Sequence, residues 1–165
     1  MAALSYEAYL SLRMQQETLS IEREYIVLCH GQVPKGLQVV SAAIRAVPGS
    51  GSRVSQDGFP AETHLLPCAW LRGHGETFTL LLVSIVTGRK HQIRVHLAHQ
   101  GHSVVGDSRY GQHGSDLAWC PRYRLATSLL PDNLEAAAAL PPNLRQVLAG
   151  LAAVDDTSRA ALKHW

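Results

Sequence analysis

One short run in the middle of the chain gathers cations, amides and imidazoles at a spacing suited to binding chemistry. It reads Thr-Gly-Arg-Lys-His-Gln-Ile-Arg-Val-His-Leu-Ala over residues 87–98. A glycine turn followed by a helix presents free backbone N–H groups and the positive end of the helix dipole, which attract phosphate. Arg89, Lys90 and Arg94 add charge there. The run predicts a polyanion or nucleotide site, although its spacing alone rather favours an ordinary basic amphipathic helix.

The histidines of the same region raise the alternative of a metal site. His96, His99 and His102 are three residues apart, and His91 precedes them. Two helical histidines at this spacing can bind zinc, but no cysteine or carboxylate lies close enough in sequence to complete the set. A serine nucleophile is also disfavoured, because the sequence lacks a Gly-x-Ser-x-Gly elbow. We expect no metal and no serine triad.

The elements on either side must position this run. Residues 76–86 read as a strand with apolar side chains on both faces, which is typical of the centre of a sheet. Residues 90–99 suit a helix that ends before Gly101. The other predicted elements are strands at 22–30, 37–47 (one strand or two short ones), 61–71 and 124–130, loops at 48–58 and 106–114, and helices at 4–19, 143–151 and near the C-terminus. This irregular order predicts an α+β fold rather than a doubly wound α/β fold.

Length and composition limit the class of protein. The chain has 165 residues, 46% hydrophobic and 17% charged, which suits one folded domain and excludes a disordered one. No apolar run is long enough to span a bilayer, and residues 1–13 lack the pattern of a secretory signal. Three cysteines far apart indicate an intracellular protein, cytoplasmic or organellar, without a disulfide framework. The net charge is only +2, yet cations cluster between residues 89 and 124, which suggests a local polyanion site rather than general binding to anions. A solvated basic face is the alternative, and charge alone does not decide between them.

Several motifs together resemble the signature of RluA-like RNA pseudouridine synthases. Residues 87–97 match the family's Thr-Gly-Arg-x-His-Gln-Ile/Leu-Arg-x-His-Leu stretch, and residues 106–111 match its Gly-Asp-x-x-Tyr-Gly. Residues 23–31 look like its Lys/Arg-x-Tyr strand, and residues 57–63 look like its Gly-Lys-x-Ala-x-Thr turn. The resemblance covers residues 20–151, and we therefore expect one partial catalytic domain over residues 1–165.

The resemblance implies isomerisation of uridine to pseudouridine in RNA, without a cofactor. The expected fold is a mixed, mostly antiparallel sheet with flanking helices and a basic cleft. The target uridine must leave its stack before its glycosidic bond can be cut, and a family Asp then attacks the nucleotide. By position, Tyr25 matches the tyrosine that stacks on the base, Arg94 the arginine that pairs with that Asp, and Ile93 the apolar residue beside the base. Tyr25 also reads as an ordinary core tyrosine of its strand.

The remaining matched residues divide into two groups. The expected RNA-binding residues, whose phosphate contacts would give affinity more than sequence choice, are Arg89, Lys90, His91, Gln92 and His96. The residues expected to shape loops, because a loop Asp commonly bonds its own turn and glycine allows unusual backbone geometry, are Gly88, Gly106, Asp107 and Tyr110.

The sequence departs from the family pattern upstream of the tyrosine strand. The catalytic Asp of the family lies in an Arg-Leu-Asp-x-x-Thr-Ser-Gly motif, which the printed sequence does not contain. Leu125-Ala126 also stands where a Leu-His pair is usual. Three explanations are open: a truncated sequence, one half of a split enzyme, or a degenerate relative kept for RNA binding. We therefore expect a pseudouridine synthase domain that is inactive as an isolated chain. The alternative is a non-catalytic RNA-binding or ribosome-associated subunit.

The expected partners follow from the same comparison. RNA, ribosomal or transfer, is the expected ligand, and no membrane is involved. Because the strands that carry the Asp are missing, the sheet should expose an edge or an apolar patch that invites a protein partner.

Overall fold

The computed structural model describes residues 4–18, 21–111, 120, 122–127 and 134–163. Its four helices are α1 (Tyr6–Glu17), α2 (Gln92–His99), α3 (Pro142–Ala149) and α4 (Asp156–Leu162). Its nine strands are β1 (Ile21–His30), β2 (Val39–Val40), β3 (Ile44–Val47), β4 (Gly51–Val54), β5 (Thr63–Gly73), β6 (Glu76–Ile85), β7 (Arg122–Thr127), β8 (Leu134–Ala137) and β9 (Ala152–Ala153). The structure thus confirms the predicted α+β class.

A seven-stranded sheet organises the fold. Its strand order is β2-β5-β6-β1-β7-β8, with β9 added to β5, and β3 and β4 form a separate two-stranded sheet. Every strand pairing among the described residues is antiparallel. The short connection between β5 and β6 fits their pairing as neighbours, since an antiparallel hairpin needs only a tight turn.

Strand β6 lies at the centre of this sheet, between β5 and β1, as its sequence predicts. Leu80, Leu81 and Val83 are completely buried although successive side chains point to opposite faces. A strand that is apolar on both faces is stable only where both faces are covered. The presence of apolar residues on both faces of β6 therefore predicts its position in the sheet as well as its conformation.

Helix α2 lies between the large sheet and the small one. Ile93 and Leu97 are four residues apart and therefore share one face of the helix, and both belong to the main hydrophobic core. Val95 belongs to a second cluster with Ile44 and Ala61, next to the small sheet. The helix is therefore buried on two sides, unlike a surface helix with one apolar stripe.

Three boundaries differ from the sequence predictions. The predicted helix at 90–99 begins only at Gln92, because His91 adopts a left-handed backbone conformation with φ 57°. The predicted loop at 48–58 contains β4, which pairs with β3 around a turn with left-handed glycines at 49 and 51. The strand predicted at 124–130 corresponds to β7, and residues 128–130 lie outside the described residues. Two further strands, β8 and β9, follow it and were not predicted.

One part of the large sheet leaves apolar side chains exposed. Leu66 is 58% exposed and Val39 is 45% exposed. Both line an open groove of about 660 Å³, together with Leu82 of β6 and Glu24 of β1. The expectation of an exposed apolar patch is consistent with this surface, and β2 and β8 end the strand order. Within the described ranges, none of the helices has the length and apolar character needed to cross a bilayer.

Candidate functional site

A buried glutamine fixes the turn that precedes α2. Gln92 is 3% exposed, and its Oε1 accepts hydrogen bonds from the Thr87 hydroxyl at 2.8 Å and from the Arg89 backbone N–H at 3.0 Å. Its Nε2 donates to the Glu62 carbonyl at 2.9 Å and to Thr63 Oγ1 at 3.0 Å. One side chain therefore ties residues 87–89 to the start of β5.

His96 extends this network one turn further along α2. It is completely buried, with Nε2 at 2.8 Å from the Ala42 carbonyl and Nδ1 at 2.9 Å from Thr63 Oγ1. Because a carbonyl only accepts, Nε2 carries the proton, and Nδ1 accepts from the threonine hydroxyl. Burial lowers the pKa of His96, as does the nearby charge of His99, against an opposing effect of the Ala42 carbonyl. The ring is therefore neutral at pH 7.

These contacts correct two of the predicted RNA-binding residues. Gln92 and His96 lie in the interior, and their polar atoms are engaged with protein partners. Direct contact with RNA does not fit either side chain, since it would expose buried hydrogen-bonding groups. The sequence pattern is explained instead by packing, because both residues connect α2 to β5 and to the segment before β3.

Arg94 and Asp107 form a bidentate ion pair. The Arg94 Nε donates to Oδ2 at 2.7 Å and Nη2 donates to Oδ1 at 2.5 Å. The Asp107 side chain is completely buried, whereas that of Arg94 is 25% exposed. Asp107 Oδ1 also accepts from the backbone N–H groups of Arg109 and Tyr110 at 3.0 and 3.1 Å. These are the contacts of a loop-fixing carboxylate that also orients a guanidinium.

Opposing effects set the pKa of Asp107. Burial alone raises it, but the hydrogen bonds from Arg94 and from the backbone N–H groups of Tyr110 and Arg109 outweigh burial, so the pKa lies below its usual value. The same hydrogen bonding raises the pKa of Arg94. Both groups are charged at pH 7. Arg94 Nη1 donates to none of the described residues.

Tyr110 connects this ion pair to the small sheet. Its ring centroid lies 5.1 Å from the Arg94 guanidinium, and its hydroxyl accepts from the Ser52 backbone N–H at 2.8 Å. His91 Nδ1 lies 2.9 Å from the same hydroxyl. A Cβ at Gly51 would lie 2.5 Å from that hydroxyl oxygen, so glycine allows this approach. The contacts support the predicted role of Tyr110 in shaping the loop.

His91 is half-buried and neutral at pH 7. Burial lowers its pKa, and so do the charges of Arg94, Lys90 and Arg109, while Asp107 opposes them. Its Nδ1 is engaged by Tyr110. Only Nε2 is available as a donor to an external phosphate, so contact of His91 with RNA stays a prediction.

The two glycines predicted to shape loops differ in their backbone conformation. Gly106 has φ +75°, the left-handed conformation that glycine adopts without strain. Gly88 has no such φ; a Cβ there would lie 2.8 Å from a guanidinium nitrogen of Arg23. Gly88 therefore provides space next to a side chain rather than an unusual turn.

Tyr25 and Ile93 both belong to the region of the main core. Tyr25 lies in β1 between Val83 of β6 and Arg122 of β7, at a register irregularity between Glu24 and Tyr25. It is partly buried against the core cluster that contains Ile93, which is itself 6% exposed. The structure thus brings the predicted tyrosine and apolar residue to one cluster, and the next residue along the helix is Arg94.

The turn before α2 carries the exposed cations. Arg89 and Lys90 are exposed, and Arg89 Nε donates to the Pro60 carbonyl at 3.0 Å. This exposure leaves both charges accessible to an external anion. Contact of these two residues with RNA stays a prediction.

Three further arginines, to which the sequence assigned no role in the site, lie on or beside the small sheet. Arg45 and Arg53 are directly opposite each other across the β3–β4 pairing, and both are exposed. The Arg109 guanidinium lies beside Gly51 of the same hairpin. The usable signal was the Gly-Ser-Gly run at 49–51 between two short apolar segments, since a hairpin there makes Arg45 and Arg53 cross-strand neighbours.

The histidines do not converge. His91 is bonded to Tyr110 and His96 to Ala42, while His102 Nδ1 lies 3.1 Å from the His30 carbonyl. Across the part of the chain with described placement, no three histidine, cysteine or acidic side chains are grouped so as to hold a metal ion.

Comparisons with known proteins bear on this arrangement. The model of the family described as RNA pseudouridylate synthase matches residues 1–99. The ribosomal large subunit pseudouridine synthase C of Yersinia pestis is 35% identical over 120 residues, which cover 70% of this chain and 36% of that protein. The synthase D of Nitrosomonas europaea is 37% identical over 116 residues, covering 69% of this chain and 32% of that protein. The chain spans about a third of the length of these relatives.

The fold has a counterpart among solved structures. Human RNA Pseudouridylate Synthase Domain Containing 1 superposes with a TM-score of 0.75 over 96% of this chain and 73% of that one, at 23% identity. At this identity the likeness concerns the fold. It agrees with the antiparallel sheet and flanking helices described above.

Proposed function

The chain belongs to the RNA pseudouridylate synthase family, and from that premise we propose that it is the C-terminal part of a domain that isomerises uridine to pseudouridine in RNA. The observation that carries the proposal is the Arg94 guanidinium, oriented through Nε and Nη2 by a buried carboxylate. Its Nη1 donates to none of the described residues, and in the proposed arrangement it would receive a second carboxylate. An arginine presented in this way keeps an acidic partner ionised in a partly buried site.

The reaction assigns distinct tasks to the neighbouring residues. The resemblance implies that an aspartate forms a covalent bond to the nucleotide as the glycosidic C–N bond breaks. The base then turns and is rejoined to the sugar through its C5 carbon, while the bond to the aspartate breaks and C5 loses its proton. In this scheme Tyr25 stacks on the extruded base, Ile93 lies beside it, and Arg94 pairs with the aspartate. Extrusion of the uridine precedes the chemistry, because the reacting bond is inaccessible inside a stack.

The exposed cations would hold the RNA backbone. We assign this role to Arg89 and Lys90, with His91 as a further donor through Nε2. Such contacts supply affinity that depends on salt, rather than sequence choice. Since RNA is the substrate, the proposed site of action is inside the cell.

The printed chain alone is expected to make no pseudouridine. It contains no Arg-Leu-Asp-x-x-Thr-Ser-Gly motif, and without the nucleophile the covalent step cannot occur. The test measures tritium release from RNA labelled at uridine C5. We expect no release with the chain alone, and release when a segment bearing the Arg-Leu-Asp motif is joined to it. Release by the chain alone would contradict the assignment of the nucleophile.

One observation favours the alternative of a non-catalytic RNA-binding subunit. The charge of Arg94 is balanced within this chain by Asp107, so retention of Arg94 does not by itself require a catalytic aspartate. Under this alternative the joined protein would bind RNA and still release no tritium. Replacing Arg89 and Lys90 by glutamate should weaken RNA binding and reduce its dependence on salt under either proposal. Unchanged binding would show that these two cations do not contact the RNA.

We also propose that another polypeptide segment covers the exposed patch around Leu66 and Val39. An apolar sheet surface of this kind favours association. Leu66→Lys should reduce self-association or partner capture in sedimentation analysis without loss of folding. A wild-type chain that is strictly monomeric and monodisperse at high concentration would contradict this.

A further inference from the structure

We propose that Phe59 and Arg89 form a stacking platform for an unpaired base of the RNA, flanked by phosphate-binding arginines of the β3–β4 hairpin. This inference rests on the proposed function, because it takes RNA as the ligand. It adds the class of RNA feature recognised: a single-stranded or extruded nucleotide beside the basic turn.

Phe59 is an aromatic residue with an unusually open ring. It is 69% exposed, although aromatic side chains ordinarily contribute a large buried area. The Arg89 guanidinium lies 5.5 Å from its ring centroid. No other aromatic ring among the described residues stacks on it. The guanidinium therefore lies over one face of the ring, and both side chains are exposed to the solvent.

The platform is held rigidly by its backbone. The Phe59 N–H donates to the Ile44 carbonyl and the Ile44 N–H donates to the Phe59 carbonyl, both at 2.9 Å. A Cβ at Gly58 would lie 2.5 Å from the Ile44 carbonyl carbon, so the two segments approach as closely as glycine permits. Arg89 is fixed in turn by its bond to the Pro60 carbonyl. A pre-organised surface loses little entropy on binding a base.

The neighbouring charges suit a phosphate chain. Arg45 follows Ile44 and is directly opposite Arg53 across the hairpin. Like charges at such positions destabilise a strand pair, so the hairpin itself does not explain them. Asp57 forms an ion pair with Arg45, whereas no acidic partner of Arg53 occurs among the described residues. An RNA backbone passing the hairpin would offset this repulsion.

Phe59 also marks a departure from the resembled motif. It occupies the position of the lysine in Gly-Lys-x-Ala-x-Thr, in the run Gly-Phe-Pro-Ala-Glu-Thr at 58–63. This chain thus presents an aromatic ring where a lysine would present a point charge. Aromatic and guanidinium planes are the usual partners of unstacked bases in single-stranded RNA.

The test compares Phe59→Leu with Phe59→Trp in the binding of a fluorescein-labelled single-stranded oligouridine. We expect Phe59→Leu to weaken binding about tenfold, because base stacking on an aromatic ring is lost, and Phe59→Trp to retain it. The slope of log affinity against log salt should stay unchanged in Phe59→Leu, since no phosphate contact is removed. Val147→Ala, at a 41% exposed apolar residue of α3, is the matched control and should bind like the wild type.

A second probe separates stacking from phosphate contact. In an oligonucleotide with abasic sites in place of the bases, the wild type and Phe59→Leu should bind equally. Equal binding of the oligouridine by these two proteins would overturn the platform and leave the proposed function standing. Absence of RNA binding by the wild type would overturn both. A defect that is as large on the abasic probe would also overturn the platform, because Phe59 would then act without a base.

Folding of the variants is checked by thermal unfolding. If Phe59→Leu fails to fold, Arg89→Lys provides the second measurement. This variant keeps the positive charge but lacks the planar guanidinium group. It should therefore weaken binding of the oligouridine more than binding of the abasic probe. Equal effects on the two probes would count against stacking.

Discussion

Two adjacent parts of one basic run have opposite environments. The turn at 88–91 exposes Arg89 and Lys90 to the solvent. The first turns of α2, immediately after it, bury Gln92 and His96 in a hydrogen-bond network. Both parts are polar, and both belong to the same family motif. Of these four side chains, only Arg89 and Lys90 are exposed to an external ligand.

The difference shows how a motif can combine a binding surface with its own support. Gln92 accepts the Arg89 backbone N–H, so the buried part holds the exposed part in place. Arg94 combines both situations, with two nitrogens bound to buried Asp107 and one end open. Substitutions in the buried part should therefore change stability first, and those in the turn should change binding alone.

The largest effect is expected at the buried ion pair. Asp107→Ala leaves Arg94 without its partner and two backbone N–H groups without an acceptor, at a cost of about 3 kcal/mol in the free energy of unfolding. Chemical denaturation measures this. Asp57→Ala, which removes an exposed partner of Arg45, should have a much smaller effect. Equal losses in the two variants would contradict the distinction between buried and exposed pairs.

The same pair predicts a dependence on pH. The pKa of Asp107 is lower in the folded chain than its usual value, so its ionised form contributes stability at neutral pH. That contribution is lost as the pH falls below about 4, the ordinary range of an aspartate, and through the folded pKa. Asp107→Asn, compared with the wild type by denaturation at pH 7 and pH 3, should show its disadvantage mainly at pH 7.

The next effect is expected at the buried glutamine. Gln92→Leu removes four hydrogen bonds and leaves buried partners unsatisfied, which should cost about 1–3 kcal/mol in the free energy of unfolding. Gln100→Leu, on the exposed end of the same helix, is the matched control. If the two variants unfold at the same denaturant concentration, the network does not support the turn.

A smaller, pH-dependent effect is expected at His96. Its pKa is lowered in the folded chain, so the unfolded state binds a proton more readily. Stability is therefore complete above about pH 6.5, the ordinary histidine pKa, and decreases as the pH falls below it. In His96→Gln this component should be absent, so its stability should fall less between pH 7 and pH 5. If His96→Gln loses as much stability between pH 7 and pH 5 as the wild type does, a group other than His96 causes the pH dependence.

The smallest effect on stability is expected in the turn. Arg89→Gln with Lys90→Gln removes exposed charges and should leave the thermal midpoint unchanged. The slope of log RNA affinity against log salt should decrease by about one for each cation that contacts a phosphate. Lys163→Gln, near the C-terminus, is the matched control. A large fall in stability would show that the turn and the network are one structural unit.

Much of the fold was predictable because the spacing of apolar residues along a strand or helix indicates which side chains are buried. The doubly apolar pattern of β6 placed it at the sheet centre, and Ile93 with Leu97 marked the core side of α2. The β3–β4 hairpin was missed because its Gly-Ser-rich composition is also that of a flexible loop. Pairing with a distant segment, as in the Ile44–Phe59 bridge, leaves no local pattern.

The sequence identified residues of the candidate site, but it did not predict which way their side chains point. The motif identified Arg94 and Tyr110, yet it did not indicate that Asp107 would be the partner of Arg94. Gln92 and His96 were expected to face RNA because polar residues on a basic helix usually face solvent. Helix α2 lies between two sheets instead, so its polar side chains meet Thr63 and Ala42.

The sequence by itself determined the family, the principal strands and helices, and the position of the basic run, because these depend on motifs and on local periodicity. Only the tertiary structure decided which polar residues support the site and which face the solvent. Gln92 bonds to a residue 30 positions away and His96 to one 54 positions away. Contacts of this range arise from the packing of α2 between the sheets, and no local pattern of residues encodes them.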